Sequence, residues 1–303
     1  MEFILTNKNA MSVTVDTHGC LIKEIIFDGH NMIQEPPYSA AVIGRIAGRI
    51  SYAEFFLNGV RYELPKNENE NCLHGNHEFD RQAEWEGHME DNKVILTYDS
   101  PDGSNGFPGN VSTTVTYSLD DNNTLRIDYY ATTDKDTIFN LTNHAYFNLN
   151  DDNNTPITNH ILTGDAKYYI PLLSDLTPEG YVEKTVGSIF DIREGKLLKD
   201  VVESTNSQIV LAGNGYDHAL VFGESKVASL YSPETGRKVT METDYPCFVC
   251  YSGNQMKGDM KHCGICLEAQ LLPDAINHDG FGEIELTPGE PYKHFVAYRF
   301  SRD

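Results

Sequence analysis

The sequence predicts an all-β fold, a large antiparallel β-sandwich built by one domain over residues 1–303. Short segments of alternating apolar and polar residues recur along the chain, separated by turn-forming sequences, which is typical of a sandwich or a barrel. Helical periodicity is scarce, and residues 197–204 are the best candidate for a short helix. No repeat or obvious linker divides the chain, and its length favours large sheets packed face to face.

The alternating segments predict three hairpins and a closing strand. Asn58 and Gly59 form the turn of the first hairpin, because both residues tolerate a positive φ. The hairpins pair residues 53–57 with 60–64, 111–119 with 124–132, and 227–231 with 238–242. Residues 293–300 predict the closing strand. The polar stretches 150–158 and 174–186 predict long loops, which often wall a site in a compact domain.

The charge of the chain limits its partners. The formal net charge is -22 and the pI is about 4.7. Such a surface repels nucleic acid and anionic membranes, so neither is expected as a partner, and a neutral or cationic ligand suits it better. The first residues lack a secretory signal, and no apolar run reaches the length of a membrane helix. We therefore expect a cytoplasmic protein.

Four of the six cysteines have a spacing close to that of a zinc site. Cys247 and Cys250 form one pair, and Cys263 and Cys266 form a second pair twelve residues later. Each pair lies in or beside a strand-like run, where residues i and i+3 point to opposite faces of a sheet. We therefore predict reduced, buried thiols and no bound metal, with structural zinc as the alternative.

A carboxylate and an imidazole are the candidates for acid/base chemistry. In a strand, Cys266, Glu268 and Gln270 share one face, which gives a polar row across a sheet. His144 lies in a separate strand-like stretch between Asn143 and Tyr146. A histidine and a carboxylate are a minimal pair for proton transfer. The alternatives are a solvated strand face for Glu268 and an ordinary, hydrogen-bonded histidine for His144.

Three further side chains are candidates for ligand binding. His74 precedes Gly75, which would let the backbone approach a ligand closely. Arg49 would share a strand face with Arg45, and its planar fork of donors suits vicinal hydroxyls. Asp217 can accept hydrogen bonds from two sugar hydroxyls. The alternatives are a turn histidine, a surface ion pair and a turn residue at the start of a strand.

These motifs, in this order along nearly the whole chain, resemble the aldose 1-epimerase (galactose mutarotase) family. The matching segments are residues 44–50, 57–59, 71–75, 106–110, 142–149, 216–218, 251–254 and 267–277. The resemblance implies a large antiparallel sandwich with an open sugar cleft. It also implies interconversion of the α and β anomers of free aldohexoses such as galactose or glucose, without a cofactor.

The resemblance assigns roles to the candidate residues. Glu268 matches the general base and His144 the general acid, while Arg49, His74 and Asp217 match ligand-binding positions. Glu268 should then be ionised near neutral pH, and nearby carboxylates should favour a charged His144. The substrate would be a monosaccharide, and the protein a monomer or a homodimer.

Three departures from the family pattern concern the choice of sugar. Gly48 stands where many relatives have asparagine, Asn76 replaces a second glycine after the histidine, and Val249 stands where some relatives have a sugar-contacting glutamine. Polar contacts to hydroxyls set sugar selectivity, so these positions bear on substrate identity and leave the acid/base pair intact.

Three other functions remain open. A hexose-6-phosphate 1-epimerase would need a cationic phosphate clamp, for which Arg45, Arg81 and Arg237 are candidates. A non-catalytic sugar-binding protein could use the same fold. A glycoside hydrolase could use Glu268 and Asp217 as its carboxylate pair.

Overall fold

The computed structural model describes residues 1–34 and 40–303, and its main feature is a pair of antiparallel sheets of nine and six strands. Apolar side chains from both sheets form one continuous buried cluster. Tyr298 of the large sheet donates a hydrogen bond to the Leu267 carbonyl of the small sheet (3.1 Å) and packs against Phe147. The predicted all-β sandwich is therefore confirmed.

The nine-stranded sheet carries its C-terminal strand at the centre. Its strands, in spatial order, are Glu86–Glu90, Lys93–Ser100, Val111–Leu119, Thr124–Thr133, Tyr292–Arg302, Arg237–Thr243, Val227–Tyr231, Ile161–Gly164 and Lys196–Leu197. Residues 292–299 of this strand pair with Thr124–Thr133 on one side, and residues 296–302 pair with Arg237–Thr243 on the other. It therefore joins two halves of the sheet that come from separate parts of the chain.

The six-stranded sheet supports the cleft described below. Its strands, in spatial order, are Tyr146–Phe147, Ile265–Gln270, Cys247–Tyr251, Asp217–Phe222, Ala166–Tyr169 and Glu183–Lys184. Leu267 and Ala269 face the main core, and a second apolar cluster lies on the opposite side of the sheet. The sheet is thus covered on both faces except where the cleft opens.

Smaller elements complete the described part of the chain. A four-stranded sheet contains Glu2–Thr6, Ser12–Asp16, Leu21–Phe27 and His30–Asn31. The two-stranded pairs are Val42–Ile43 with Thr142–Asn143, Arg49–Ile50 with Cys72–Leu73, Glu54–Leu57 with Val60–Glu63, and Thr137–Ile138 with Glu285–Leu286. The α-helices are Leu198–Val202 and Ser207–Leu211, and the other helical segments are single turns of three to five residues. None of the described helices is long and apolar enough to cross a membrane.

The predicted strand elements are confirmed with shifts of one or two residues. The turn of the first hairpin has φ values of 51° at Asn58 and 76° at Gly59, as the pattern requires. The helix expected at 197–204 is the shorter Leu198–Val202, and Ser207–Leu211 was not predicted. Of the two predicted loops, only 174–186 contributes to the wall of the cleft.

Two predictions around residues 44–75 are wrong. Arg45 and Arg49 do not share a face, because Gly48 adopts a φ of 79° and only Arg49–Ile50 is a strand. Arg45 is fully buried and donates to Ser100 and to two backbone carbonyls. Gly75 lies outside the cleft wall, and a Cβ there would lie 2.7 Å from the Arg45 nitrogen, so this glycine permits close contact between two backbone segments.

Candidate active site

An open cleft of about 560 Å³ lies over the six-stranded sheet and contains all five predicted site residues. They are contributed by five separate segments of the chain and line the cleft together: Arg49, His74, His144, Asp217 and Glu268. The apolar side chains of Leu172, Leu176 and Pro178 form part of one wall. The sequence therefore identified the residues that the fold brings together.

Glu268 lies on the floor of the cleft, on strand Ile265–Gln270. Its neighbour across the sheet is Val249, and the alternation of the strand directs Glu268 and Gln270 to the cleft and Leu267 to the core. Burial, and then the nearby Asp217, raises the pKa of Glu268 well above its usual range, while Arg49 opposes the rise. Burial therefore favours a protonated carboxyl group.

His144 lies beside Glu268 because two short strand pairings fix its segment. Thr142–Asn143 pairs with Val42–Ile43, and Tyr146–Phe147 pairs with the strand that carries Glu268. The distance from His144 Nε2 to Glu268 Oε1 is 3.7 Å. The His144 ring stacks on Tyr146, with centroids 4.8 Å apart and planes at 24°. Stacking on Tyr146 therefore fixes the orientation of the His144 ring beside the carboxyl group.

Burial opposes the charge expected for His144. Burial lowers the pKa of His144 to about 4, so the imidazole is neutral near pH 7. Neighbouring carboxylates were expected to keep it charged, but loss of solvation outweighs them. Burial thus favours the form of the pair in which the proton is on the Glu268 carboxyl group and His144 is neutral.

One short strand pair positions both His74 and Arg49 at the cleft. Strand Arg49–Ile50 pairs with Cys72–Leu73, so Arg49 lies beside the residue that precedes His74. The Gly48 N–H donates to His74 Nδ1 at 3.2 Å, and burial lowers the pKa of His74 well below its usual value. Because Nδ1 accepts, the neutral His74 ring carries its hydrogen on Nε2 and is a hydrogen-bond donor there.

Arg49 lies between two carboxylates, one of which the sequence reasoning missed. Its Nε and Nη2 donate to Glu68 Oε2 and Oε1 at 2.6 and 2.9 Å, and its Nη1 lies 4.0 Å from Asp217 Oδ2. Burial raises the pKa of Asp217, and Arg49 opposes that rise. Glu68 lies in a polar, acidic run with no strand pattern, so the sequence offered no signal for its role.

The cysteines do not form one metal site. All six are buried, free thiols, which confirms the burial predicted for the four cysteines of the two pairs. Cys250 packs in the main core and Cys247 in the apolar cluster on the other side of the sheet, so the first pair is split between two faces. Among the described residues, the one cluster of three ligand-type side chains is His144, Cys266 and Glu268, with one atom from each lying within 4.8 Å of the others.

The three arginines proposed for a phosphate clamp do not converge. Arg81 lines the cleft. Arg45 is buried against Ser100, and Arg237 is buried and pairs with Asp151 at 2.8 Å. Neither of these two contributes to the cleft wall, so this arrangement gives no support to a phosphorylated substrate.

Two of the three departures from the family pattern lie in the cleft. Gly48 and Val249 both line it, so each removes a polar side chain from the surface that would face a sugar. Asn76 lies outside the cleft wall, adopts a φ of 58° and donates to Asn105 at 2.9 Å. Of the three departures, Gly48 and Val249 are therefore the two that lie at the cleft wall.

Similar structures define the class of protein. The crystal structure of a galactose 1-epimerase from Lactobacillus acidophilus is similar at a TM-score of 0.90 and 30% identity, covering 99% of this chain and 94% of that one. That of a GalM/aldose epimerase homologue from C. elegans gives a TM-score of 0.91 at 23% identity, covers 100% and 99% of the two chains, and shows the fold alone. The protein is therefore a galactose mutarotase-like β-sandwich.

Sequence comparison identifies the family. The family model described as aldose 1-epimerase matches residues 1–299. The galactose mutarotase of Rattus norvegicus is 35% identical over 282 residues, which cover 89% of this chain and 80% of that protein. The chain belongs to the aldose 1-epimerase family and is an enzyme of the isomerase class, which confirms the resemblance found in the sequence.

Proposed function

We propose that this enzyme interconverts the α and β anomers of free aldohexoses such as galactose or glucose, with Glu268 as the base and His144 as the acid. One observation carries the proposal: His144 Nε2 and Glu268 Oε1 lie 3.7 Å apart on the floor of a cleft large enough for a sugar. Arg49, His74 and Asp217 surround them with hydrogen-bonding groups. Family membership supports the same reaction.

The reaction opens and closes the sugar ring by two proton transfers. Glu268 removes the proton from the anomeric hydroxyl, and His144 protonates the ring oxygen, so the C1–O5 bond breaks and C1 becomes an aldehyde. Rotation about C1–C2 presents the other face of the carbonyl group. Closure returns both protons, with the roles of acid and base exchanged. One positioned acid or base is typically worth about 10²–10⁴-fold in rate.

The pair must first move its proton from Glu268 to His144. Glu268–COOH with neutral His144, and Glu268–COO⁻ with charged His144, contain the same number of protons. Sugar hydroxyls that donate to Glu268 stabilise the carboxylate, and His144 Nε2 is the nearby acceptor. We therefore expect a bell-shaped pH profile, because activity is lost when the pair gains a second proton or loses its only one.

Polarimetry on fresh α-D-galactose and α-D-glucose tests the proposal. Glu268→Gln should lose about 10²–10⁴-fold in kcat with its fold retained. Glu283→Gln, which changes an exposed carboxylate in the same way, is the matched control. Near-normal turnover by Glu268→Gln would remove this residue from the mechanism, and a flat profile from pH 5 to 9 with rate-limiting chemistry would remove the acid/base pair.

The same preparations separate the other functions. Faster turnover of glucose 6-phosphate than of glucose would indicate a phosphosugar epimerase. Arg45 and Arg237 would not supply its phosphate clamp, because they bind Ser100 and Asp151. Sugar binding without anomer exchange would indicate a binding protein. Release of sugar from an aryl glycoside would indicate a hydrolase that uses Glu268 and Asp217.

We also propose that residues 1–303 form one domain, acting on a monosaccharide in the cytoplasm as a monomer or a homodimer. The six buried, free thiols suit a reducing compartment. Light scattering at two protein concentrations would give the oligomeric state. Cell fractionation would test the compartment, and limited proteolysis that released a stable fragment would contradict the single domain.

A further inference from the structure

Cys266 lies directly behind the proposed acid. It is on the strand that carries Glu268, two residues earlier and on the same face, and it is fully buried below the floor of the cleft. Its Sγ is 3.3 Å from His144 Nδ1. The other ring nitrogen, Nε2, is the one that lies 3.7 Å from Glu268. The imidazole therefore has a thiol on its inner side and a carboxyl group on its outer side.

Ring packing fixes the plane of His144 and leaves its hydrogen unassigned. Tyr146 stacks on one face of the ring, and His74 lies close to it at an interplanar angle of 83°. Stacking is indifferent to which nitrogen carries the hydrogen. The tautomer of a neutral histidine follows from the partner of its inner nitrogen. The side-chain partner is the sulfur of Cys266, and the ring also hydrogen-bonds the backbone of His144 itself.

The proposed chemistry requires one of the two tautomers. Protons must enter and leave His144 at Nε2, because Nδ1 faces away from the cleft. A neutral imidazole accepts a proton at Nε2 only when its hydrogen is on Nδ1. The same tautomer forms when a charged His144 gives its Nε2 proton to the ring oxygen. The productive neutral ring therefore donates from Nδ1, and Cys266 Sγ is the side-chain acceptor beside it.

We propose that Cys266 is a positioning residue, whose sulfur accepts the Nδ1–H of His144 and thereby keeps the Nε2 lone pair directed at Glu268 and the substrate. The catalytic consequence rests on the proposed function. The contact between Sγ and Nδ1 does not, because it follows from the packing of the ring and the position of the sulfur, whereas its donor is assigned by the chemistry.

A neutral sulfur suits a reversible proton transfer. Burial, and then the nearby Glu268, raises the pKa of the Cys266 thiol well above its usual range, so the thiol stays protonated and uncharged. A carboxylate in this position would stabilise the charged imidazole and hold its proton. The weakly accepting thiol orients the ring without that effect, so the proton can leave His144 as readily as it arrives.

Nitrogen-15 NMR of the His144 ring on the full chain at pH 7 tests the proposal. Wild type should show a protonated Nδ1 and an unprotonated Nε2. Cys266→Ala should shift the neutral ring toward the Nε2–H form. It should lower kcat about 10-fold, which is the smallest effect usually seen when a group that orients a functional histidine is lost. KM should be nearly unchanged. Cys266→Ser retains an acceptor, so it should keep the Nδ1–H form and most of kcat.

Cys250→Ala is the matched control, because it removes a fully buried thiol from the neighbouring strand on the core side of the sheet. It should change neither the tautomer nor kcat. Hydrogen on Nε2 in the wild type, or a Cys266→Ala variant that matches wild type in both tautomer and kcat, would overturn the proposal. If Cys266→Ala does not fold, loss of the Nδ1–H form in Cys266→Ser would overturn it as well.

Failure of the proposed function has a different signature. A wild type that shows the Nδ1–H form, but does not accelerate anomer exchange, would refute the function while supporting the hydrogen bond. The tautomer is read from the spectrum alone, so the two results are independent.

Discussion

Replacing Glu68 by glutamine should weaken sugar binding without slowing the chemical step. Glu68 holds the guanidinium of Arg49 through two charge-assisted hydrogen bonds of 2.6 and 2.9 Å. Glutamine keeps one acceptor oxygen and loses the charge. The remaining carboxylate near Arg49 is then Asp217, whose Oδ2 lies 4.0 Å from Arg49 Nη1. We expect the guanidinium to turn toward Asp217, so that both groups become less available to sugar hydroxyls.

The structure sets the size of this effect. A hydrogen bond to a charged partner is worth about 1.5–3 kcal/mol net, and Glu68→Gln removes one of the two. The side chains of Arg49 and Glu68 are 14% and 27% exposed, so solvent screening favours the lower end of that range. About 1.4 kcal/mol corresponds to a tenfold change in an equilibrium constant, so KM should rise about tenfold.

Initial rates over a range of galactose concentrations measure this change. Glu70→Gln is the matched control, because Glu70 is a highly exposed carboxylate that pairs with Lys66 in the same loop. It should leave both kinetic constants unaltered. A Glu68→Gln variant with unchanged KM would show that Arg49 needs no anchor. A fall in kcat at constant KM would place the contribution of Arg49 in the transition state alone, contrary to the reasoning above.

Further outcomes concern pH, metal ions and sugar choice. Burial lowers the pKa of His160 to about 3. Below pH 6.5 the unfolded chain therefore takes up a proton at this residue that the folded chain does not. The stability that the neutral, buried ring contributes is lost as the pH falls. Urea titrations measure the difference in unfolding free energy between wild type and His160→Gln. This difference should decrease by about 2 kcal/mol from pH 7 to pH 5. A constant difference would contradict the buried, neutral state of His160. Zn²⁺ should inhibit by binding His144 Nε2 and Glu268 on the floor of the cleft, Mg²⁺ should not, and Zn²⁺ binding that persists in Glu268→Gln would place the ion elsewhere. Val249→Gln should lower KM for galactose about two- to tenfold through one new hydrogen bond beside Glu268; an unchanged KM would place this side chain outside the sugar contacts.

Local patterns in the sequence predicted the strands and the side chains that face the cleft. The alternation of strand residues is a property of two or three neighbours, so it placed Glu268 and Gln270 on one face and Leu267 on the other. The same rule failed for Arg45 and Arg49, because a single glycine with a φ of 79° interrupts the strand geometry between them.

Tertiary proximity was beyond the sequence. Glu68 becomes the main partner of Arg49 only because the strands around residues 49 and 72 pair, and its own segment has no strand pattern. The charge of His144 was predicted from nearby carboxylates, whereas burial lowers its pKa, and burial is known only once the sheet has formed. The sequence placed Cys266 in a strand, but only the structure shows that its sulfur lies 3.3 Å from His144 Nδ1.

The central position of strand Tyr292–Arg302 affects how the molecule can assemble. Strands from residues 86–133 form one side of the large sheet and strands from residues 161–243 the other, and this single segment joins them. Contacts between residues so far apart in the chain are slow to form, and a shortened chain that ends before residue 292 would expose two long unpaired strand edges. Such a chain should aggregate, whereas a separately supplied peptide of residues 292–302 could restore both solubility and the sheet by pairing with both edges at once.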